Sequence, residues 1–402
     1  MKTQVFSGTA KGAAEIIRNG GLVAVPTETV YGLAGSGLNE QAVGMIYEVK
    51  GRPAVKPLSL MVHGSEAMDA LCLDVPEQAR TLAARFWPGP LTIVLKAKPE
   101  IPSIVLAGGS TVGLRCPDHP LTLELLRDCG LPLAAPSANP SGEESPKDAG
   151  KVLEYFDGKI NAVIDGGRCG LGRESTIIDM SKSPYRILRQ GALPAEDIAD
   201  ALVGGMKVIG ITGGTGCGKT TALQELEAMG ALVLDCDAIY HELLESSAEL
   251  LGEIENRFPD TVQDGKLNRK ALGAVVFADS AALSDLNAIT HKYVGLELQR
   301  RLREFAMTGG TLAAIDAIEL FSSGINGRCF KTVAVISNKE NRIKRIMARD
   351  GITREYALLR IAAQHDDGYY AERCDYTLYN NADMDSFRND CRQLFKEMFS
   401  NG

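Results

Sequence analysis

Lys207-Val-Ile-Gly-Ile-Thr-Gly-Gly-Thr-Gly-Cys-Gly-Lys-Thr220 is the stretch that decides the fold of the second half of the chain. Its first six residues read as a buried strand. The next eight, Gly213 to Thr220, fit G-x-x-x-x-G-K-[ST] in full, and a helical pattern follows. A strand before the loop and a helix after it are the context that gives this motif meaning. The glycines let backbone N–H groups turn inward on a phosphate, and the helix N-terminus adds partial positive charge. The expected cradle for ATP is Gly213, Gly214, Gly216, Cys217, Gly218, Lys219, Thr220 and Thr221. In it, Lys219 reaches the β- and γ-phosphates and the Thr220 hydroxyl holds Mg2+.

Working outward, further strands are expected at 231–235, 312–316, 332–336 and 376–379, with long helices near 280–305, 339–349 and 384–399. Strands separated by helices imply a parallel sheet covered by helices on both faces. Asp235 and Asp237 end the strand at 231–235, where a carboxylate faces the ligand crevice. One of them could take a proton from a substrate hydroxyl, as a kinase requires. The competing reading is that Asp237 caps the next helix, and sequence geometry leaves both open. Arg342, Arg345, Arg349 and Arg360 recur in a helical region. They read either as phosphate clamps in a closing lid or as a solvated basic face. Arg345 and Arg349 are i,i+4 neighbours and can act together on ATP.

Working back from Lys207, Gly204-Gly205-Met206 marks a join, with a loop and short helix over 188–202 before it. The 402 residues suit two or three domains, and the join divides them into 1–205 and 206–402. Hydrophobic residues at 45% and charged residues at 23% exclude a largely disordered chain. The net charge is −8: the first part has 20 basic and 23 acidic residues, the second 23 and 28. Neither is a basic module suited to non-specific nucleic-acid or membrane binding. Nine scattered cysteines without a C-x-x-C pair argue against a zinc site or disulfides and for a reducing compartment. With no signal-peptide run and no membrane span, the expectation is a cytoplasmic protein.

The first part reads as mixed α/β, with strands at 22–25, 91–95 and 162–165 and helices at 40–49, 77–86 and 121–129. Its densest cationic feature is Lys50-Gly-Arg-Pro-Ala-Val-Lys56, bent by glycine and proline. It reads as either a polyanion pocket or a solvated loop. Arg115 and Arg189 each end a short apolar run, a placement that points a guanidinium into a cleft. Hydroxyls cluster in turns at Thr27, Thr29, Ser137 and Ser175-Thr176, where local turn bonding is the alternative role. No nucleophilic triad is evident, and His63 and His119 have no obvious partners.

The second part resembles dephospho-coenzyme A kinase over about residues 207–400. Beyond the glycine loop, the resemblance rests on Asp235-Cys-Asp237, Leu267-Asn-Arg-Lys-Ala-Leu272, Leu286-Asn-Ala-Ile-Thr-His291, Ile346-Met-Ala-Arg-Asp-Gly351, Arg360-Ile-Ala-Ala-Gln364 and Asp375-Tyr-Thr-Leu-Tyr-Asn-Asn381. It implies ATP-dependent phosphorylation of the ribose 3′-hydroxyl of dephospho-CoA, with Asp237 as general base. Three departures bear on substrate positioning. Asp316-Ala-Ile-Glu-Leu-Phe-Ser322 replaces Asp-x-Pro-Leu-Leu-Phe-Glu, so Ile318 and Ser322 differ. His241 stands for an Arg, and Lys292 for a Pro.

The first part resembles the YrdC-like threonylcarbamoyl-adenylate synthase family. The matching strings are Pro26-Thr-Glu-Thr-Val-Tyr-Gly-Leu33, Lys50-Gly-Arg-Pro53, Trp87-Pro-Gly-Pro-Leu-Thr92, Val112-Gly-Leu-Arg-Cys-Pro117, Ala135-Pro-Ser-Ala-Asn-Pro-Ser-Gly142 and Glu174-Ser-Thr176. The resemblance implies a twisted α/β domain around a positively charged cavity that joins L-threonine, bicarbonate and ATP. The products are threonylcarbamoyl-AMP and pyrophosphate, for use by tRNA-modification proteins. Threonine would meet Thr29, Arg115, Ala135 and Ser175. ATP would meet Arg52, Lys56, Thr111, Ser137, Ser145 and Arg189, with Arg52 and Lys50 as the catalytic cations. Longer members carry a further C-terminal domain where the kinase stands here. The combined expectation is a bifunctional enzyme. The alternatives are an RNA-binding first module, or a nucleotide switch or other kinase in the second part.

Overall fold

The computed structural model describes residues 2–400. Two compact units emerge, Met1–Gly205 with Met307–Gly309, and Met206–Ala306 with Gly310–Gly402.

The first unit is built on one mixed, eleven-stranded sheet. Its path runs Gln4–Ser7, Ala162–Asp165, Val23–Val25, Gly32–Ser36, Leu133–Ala134, Ser59–Met61, Thr111–Arg115, Leu91–Ala97, Thr176–Asp179 and Arg186–Arg189, and Cys72–Leu73 joins Leu91–Ala97. The central Val23-Ala-Val25 is buried throughout, as expected of a strand covered on both faces. Helices Ala13–Arg18 and Pro120–Cys129 close one face, where Ala13, Ile17, Leu125 and Leu126 pack on Val23, Val25 and Ile164. The helix Glu40–Lys50 aims the cationic loop. Asn39 caps its start by accepting from the N–H groups of Gln41 and Ala42. Gly51 at φ 57° stops it in the left-handed region, which a residue with a Cβ seldom adopts.

Two features differ from the sequence expectation. The segment at 188–202 begins inside an edge strand, Arg186–Arg189, rather than in a loop. The pattern is weak because the strand is largely exposed. In the second unit, Val262–Gln263 and Lys266–Leu267 form a hairpin. Its two central residues, Asp264 and Gly265, both have positive φ, the Asp-Gly geometry of a tight hairpin turn.

The second unit has a five-stranded, all-parallel sheet in the order Leu232–Asp235, Leu312–Asp316, Lys207–Thr212, Lys331–Ile336, Tyr376–Tyr379. The glycine-loop strand is central. Ile209, Ile211, Val333 and Val335 face one side, under Ala222 and Leu226 of helix Lys219–Ala228 and Phe387 and Phe395 of helix Met384–Ser400. Ala334 and Ile336 face the other, under Tyr370 of helix Asp367–Arg373. The sheet is thus helix-covered on both faces. A helical insertion between Cys236 and Met307 has its own core of Leu250, Leu251, Ile254, Phe258, Leu272 and Val276. Among the described residues, no helix is long and apolar enough to cross a membrane.

Candidate functional sites

Strand ends and turns of the first unit enclose a polar cavity of about 190 Å³. Arg52, Arg115 and Arg189 enter it from three separate elements, beside Ala135, Ser137, Glu174 and Ser175. The Arg52 Nε and Nη2 donate to the carbonyls of Lys56 (3.2 Å) and Pro57 (2.9 Å). Arg189 donates to the Ser175 carbonyl through Nε (3.1 Å) and Nη2 (2.8 Å). Burial, then Arg115 and Arg52 acting against the pull of Glu174, hold Arg189 below its ordinary pKa. Three guanidiniums around one small cavity favour an anion with several oxygens.

Arg115 is the most fixed of the three, only 8% exposed at the end of strand Thr111–Arg115. Its Nη2 donates to Glu28 Oε1 and Thr29 Oγ1, both at 2.8 Å. The second Glu28 oxygen accepts from the Asp118 N–H at 3.0 Å. Thr29 in turn shares a hydrogen bond with Thr27 (2.8 Å), whose hydroxyl donates to the Val30 carbonyl (2.6 Å). The hydroxyl turn therefore serves Arg115 as well as its own backbone. Ser175 Oγ pairs with Thr92 Oγ1 at 2.8 Å across adjacent strands.

Other expected residues stand back from the cavity wall. Lys50 is 3% exposed, and its ammonium donates to the carbonyls of Ser137 and Asn139. Burial, and secondarily Arg52, pushes its pKa down to about 7. It shapes the Ser137 turn rather than presenting charge. The Lys56 side chain is exposed, and its carbonyl accepts from Arg52 and from the Tyr47 hydroxyl. Ser145 donates to Glu174 Oε1 at 2.7 Å, and Thr111 starts its strand opposite Lys96. Glu28 and Glu174 were not singled out by sequence reasoning. Glu28 lies inside the Pro26–Leu33 string and Glu174 beside Ser175, which is the signal that could have found them. His63 does have partners: its Nε2 accepts from Arg127 Nε at 3.3 Å, and its ring lies 3.9 Å from Glu66.

In the second unit, Gly214, Thr215, Gly216, Cys217, Gly218, Lys219 and Thr220 line a cavity of about 420 Å³ with Asp235, Asp237, Asp316, Arg345 and Arg349. Gly213 and Thr221 lie just outside it. Gly213 offers its carbonyl to Lys219 Nζ (3.2 Å), and the Thr221 hydroxyl faces Met384 Sδ (3.6 Å). Gly213 and Gly218 show why glycine is needed here. Their φ values are +135° and +103°, and an added Cβ would lie 2.2 Å from the Val335 carbonyl or 2.1 Å from Asn380 Nδ2.

The Asp pair resolves against the capping alternative for Asp237. Asp235 is the cap, accepting from the N–H groups of Asp237 (2.8 Å) and Ala238 (3.1 Å). Asp237 sits in the first turn and lines both the phosphate cavity and an adjoining one of about 230 Å³ with Tyr240, His291 and Ile318. The arginines divide as well. Arg345 and Arg349 reach the cavity. Arg342 is 4% exposed and bound to Thr215, and Arg360 pairs with Asp350; neither lines the cavity. His241 turns its Nδ1 to the Asp237 carbonyl (2.6 Å), and Lys292 pairs with Glu253 (2.6 Å).

Sequence reasoning missed Asp316, which ends the strand Leu312–Asp316 beside Asp235 in register. Lys219 Nζ lies 3.7 Å from its Oδ1, too long for a hydrogen bond, and that buried oxygen has no hydrogen-bond partner. Burial raises its pKa to about 6 against the pull of Lys219. Its position at the end of an apolar parallel strand is the signal that could have found it.

A family model described as "Telomere recombination", which carries the YrdC name, matches residues 15–191. A second, described as "Dephospho-CoA kinase", matches residues 207–386. A threonylcarbamoyl-AMP synthase of Pyrococcus abyssi is 47% identical over 196 residues, 49% of this chain and 57% of that protein. A relative in Methanocaldococcus jannaschii carrying the threonylcarbamoyl-AMP synthase name is 38% identical over 183 residues, 46% of this chain and 86% of the relative. A dephospho-CoA kinase of Geobacter sulfurreducens is 33% identical over 196 residues, 48% of this chain and all of that protein. The chain thus spans little more than half of the Pyrococcus relative and the full kinase. It belongs to the YrdC-type threonylcarbamoyl-AMP synthase family through its first part and to the dephospho-CoA kinase family through its second.

Proposed function

We propose that the chain is a bifunctional enzyme with two ATP sites. The first unit forms threonylcarbamoyl-AMP and pyrophosphate from L-threonine, bicarbonate and ATP. The second phosphorylates the 3′-hydroxyl of dephospho-CoA. The observation that carries this reading is the pair of unlike anion cavities, one walled by Arg52, Arg115 and Arg189 and the other by a complete phosphate loop with a free Asp237.

In the first unit, threonine, bicarbonate and ATP all bear negative charge and repel one another. Arg115, held through Nη2 by Glu28 and Thr29, offers its remaining Nη1 to the threonine carboxylate, near Ala135 and Ser175. Arg52, Arg189 and Ser137 take ATP, with Ser145, Thr111 and Lys56 at the margin and Lys50 bracing the Ser137 turn. Positioning and fixed cations let the carbamate approach the α-phosphate in line and stabilise the charge that develops there. The adenylate passes to tRNA-modification proteins.

In the second unit, the loop and Lys219 hold the triphosphate, and Arg345 and Arg349 flank it. Asp237, between the two cavities, accepts the proton of the attacking hydroxyl. The Thr220 hydroxyl and the unpartnered Asp316 oxygen are hard donors that fit Mg2+ accompanying ATP. Bound there, Mg2+ would neutralise charge on the β- and γ-phosphates. Among the described residues, no cluster of three or more His, Cys, Asp or Glu could hold a metal, so the fit is to a nucleotide-borne ion.

The purified chain should release pyrophosphate only with both threonine and bicarbonate, and should convert dephospho-CoA to CoA with ATP. Salt-sensitive RNA binding without pyrophosphate release would overturn the first half of the proposal. ATP turnover without CoA formation would overturn the second.

A further inference from the structure

Thr215 lies at the middle of the glycine loop and lines the phosphate cavity, yet every polar group it has is held by residues more than a hundred positions away. Gln364 Oε1 accepts from the Thr215 N–H at 2.8 Å, and Gln364 Nε2 donates to Thr215 Oγ1 at 2.7 Å. Arg342 Nε donates to the Thr215 carbonyl at 3.0 Å. Arg342 also donates to Gln364 Oε1 through Nη2 (3.2 Å) and to Asp367 Oδ1 through Nη1 (3.3 Å). The same guanidinium closes over the neighbouring glycine, where a Cβ on Gly214 would stand 2.1 Å from Arg342 Nη2.

We propose that Gln364 is a positioning residue for ATP, holding the phosphate loop in its binding shape through the two-point bond to Thr215. This deepens the kinase reading and rests on it for the identity of the acceptor. The physical reason is the loop's composition. Gly213, Gly216 and Gly218 all have positive φ, and glycine loses more conformational freedom on ordering than any other residue. A loop left free would be ordered at the moment ATP binds, and affinity would fall by that cost. With the Thr215 N–H, hydroxyl and carbonyl fixed from behind, the loop is ordered beforehand. The hold also ties the loop to helix Lys339–Asp350, which bears Arg342 together with the cavity residues Arg345 and Arg349. Gln364 itself does not line the cavity, so its effect is exerted through Thr215.

The test is titration of the full chain with ATP and Mg2+, taking as the kinase-site signal the binding that Lys219→Ala removes. Gln364→Ala and Thr215→Val should each weaken that binding by about tenfold, the scale of one to two lost hydrogen bonds. The double variant should be no weaker than the weaker single, and Thr215→Ser, which keeps the hydroxyl, should bind more tightly than Thr215→Val. In the CoA-forming reaction, Gln364→Ala should raise KM for ATP and leave KM for dephospho-CoA within twofold. ATP affinity within twofold of wild type in either single variant would overturn the proposal. So would effects that multiply in the double variant, or an equal rise in both KM values. If Gln364→Ala does not fold, Gln364→Met, which keeps the length and loses both bonds to Thr215, takes its place with the same expected loss. A wild type that binds ATP through Lys219 but makes no CoA would sink the acceptor assignment alone, and the titration would still decide the role of Gln364.

Discussion

The two cavities proposed to bind ATP are built in opposite ways. In the second unit a contiguous run, Gly214 to Thr220, supplies most of one wall from backbone and one lysine. In the first unit no run suffices: Arg52, Arg115 and Arg189 come from three elements and are each held by carbonyls or carboxylates. A backbone cradle depends on glycine dihedrals and a helix start, so it is written locally. A side-chain cradle depends on the sheet that brings strand ends together. The lesson is that a substitution should act on chemistry in the first case and on chemistry and folding together in the second.

The largest effect expected on chemistry alone is at Asp237. Asp237→Asn should lower the turnover of CoA formation on the order of 10²- to 10⁴-fold, the range for a general base, with little change in KM for ATP. Asp235→Ala, two residues earlier, removes a helix cap and should cost about 1 kcal/mol of stability in denaturant unfolding. Equal kinetic damage from both would erase the distinction between them.

Next is Arg115→Ala, which tests the coupling of site and fold. It strands a largely buried Glu28 carboxylate, so about 3 kcal/mol of stability should go with threonine-dependent activity. Arg115→Ala with Glu28→Gln should regain much of the stability and none of the activity. Loss of activity at unchanged stability would make the first cavity behave like the second.

A smaller effect is expected from pH at the kinase site. Burial pushes the Asp316 pKa up to about 6, and as pH falls through that value the carboxylate becomes neutral and loses its attraction for Lys219. The kcat/KM for ATP should then fall by about tenfold per unit below pH 6. Asp316→Asn should start low and lack this limb. A limb that survives in Asp316→Asn assigns it to another group.

A further test is the stability slope from Lys50. Its pKa is lowered from 10.5 to about 7 in the folded protein, so between those values the unfolded chain binds the extra proton. Stability should therefore rise with pH from about 7 to 10.5, and this part of the slope should vanish in Lys50→Met. That variant should also reduce threonylcarbamoyl-AMP formation through the Ser137 turn. A slope unchanged in Lys50→Met would mean that the ammonium is not buried as found.

Legibility followed the same division. The strands at 207–212, 312–316 and 376–379 and the glycine loop between strand and helix could be read directly, because one period and one motif specify each. Strand Arg186–Arg189 and the hairpin at 262–267 could not, since edge strands and two-residue strands carry little apolar periodicity. Arg115 and Arg189 were legible as cations ending apolar runs. Their partners Glu28 and Ser175 needed the cross-strand register. The burial of Lys50 at the end of helix Glu40–Lys50 was not visible in the sequence. That Asp235 and not Asp237 caps the helix was visible only in the structure. Asp316 and Gln364 were hidden for a related reason, since each acts on the loop from roughly 100 to 150 residues away.

The most direct measurement of the account is crosswise inactivation in the intact chain. Arg52→Ala should abolish threonine- and bicarbonate-dependent pyrophosphate release and leave CoA formation at the wild-type rate. Lys219→Ala should do the reverse, lowering CoA formation on the order of 10³-fold. Loss of both activities in either folded variant would contradict two independent ATP sites on one chain.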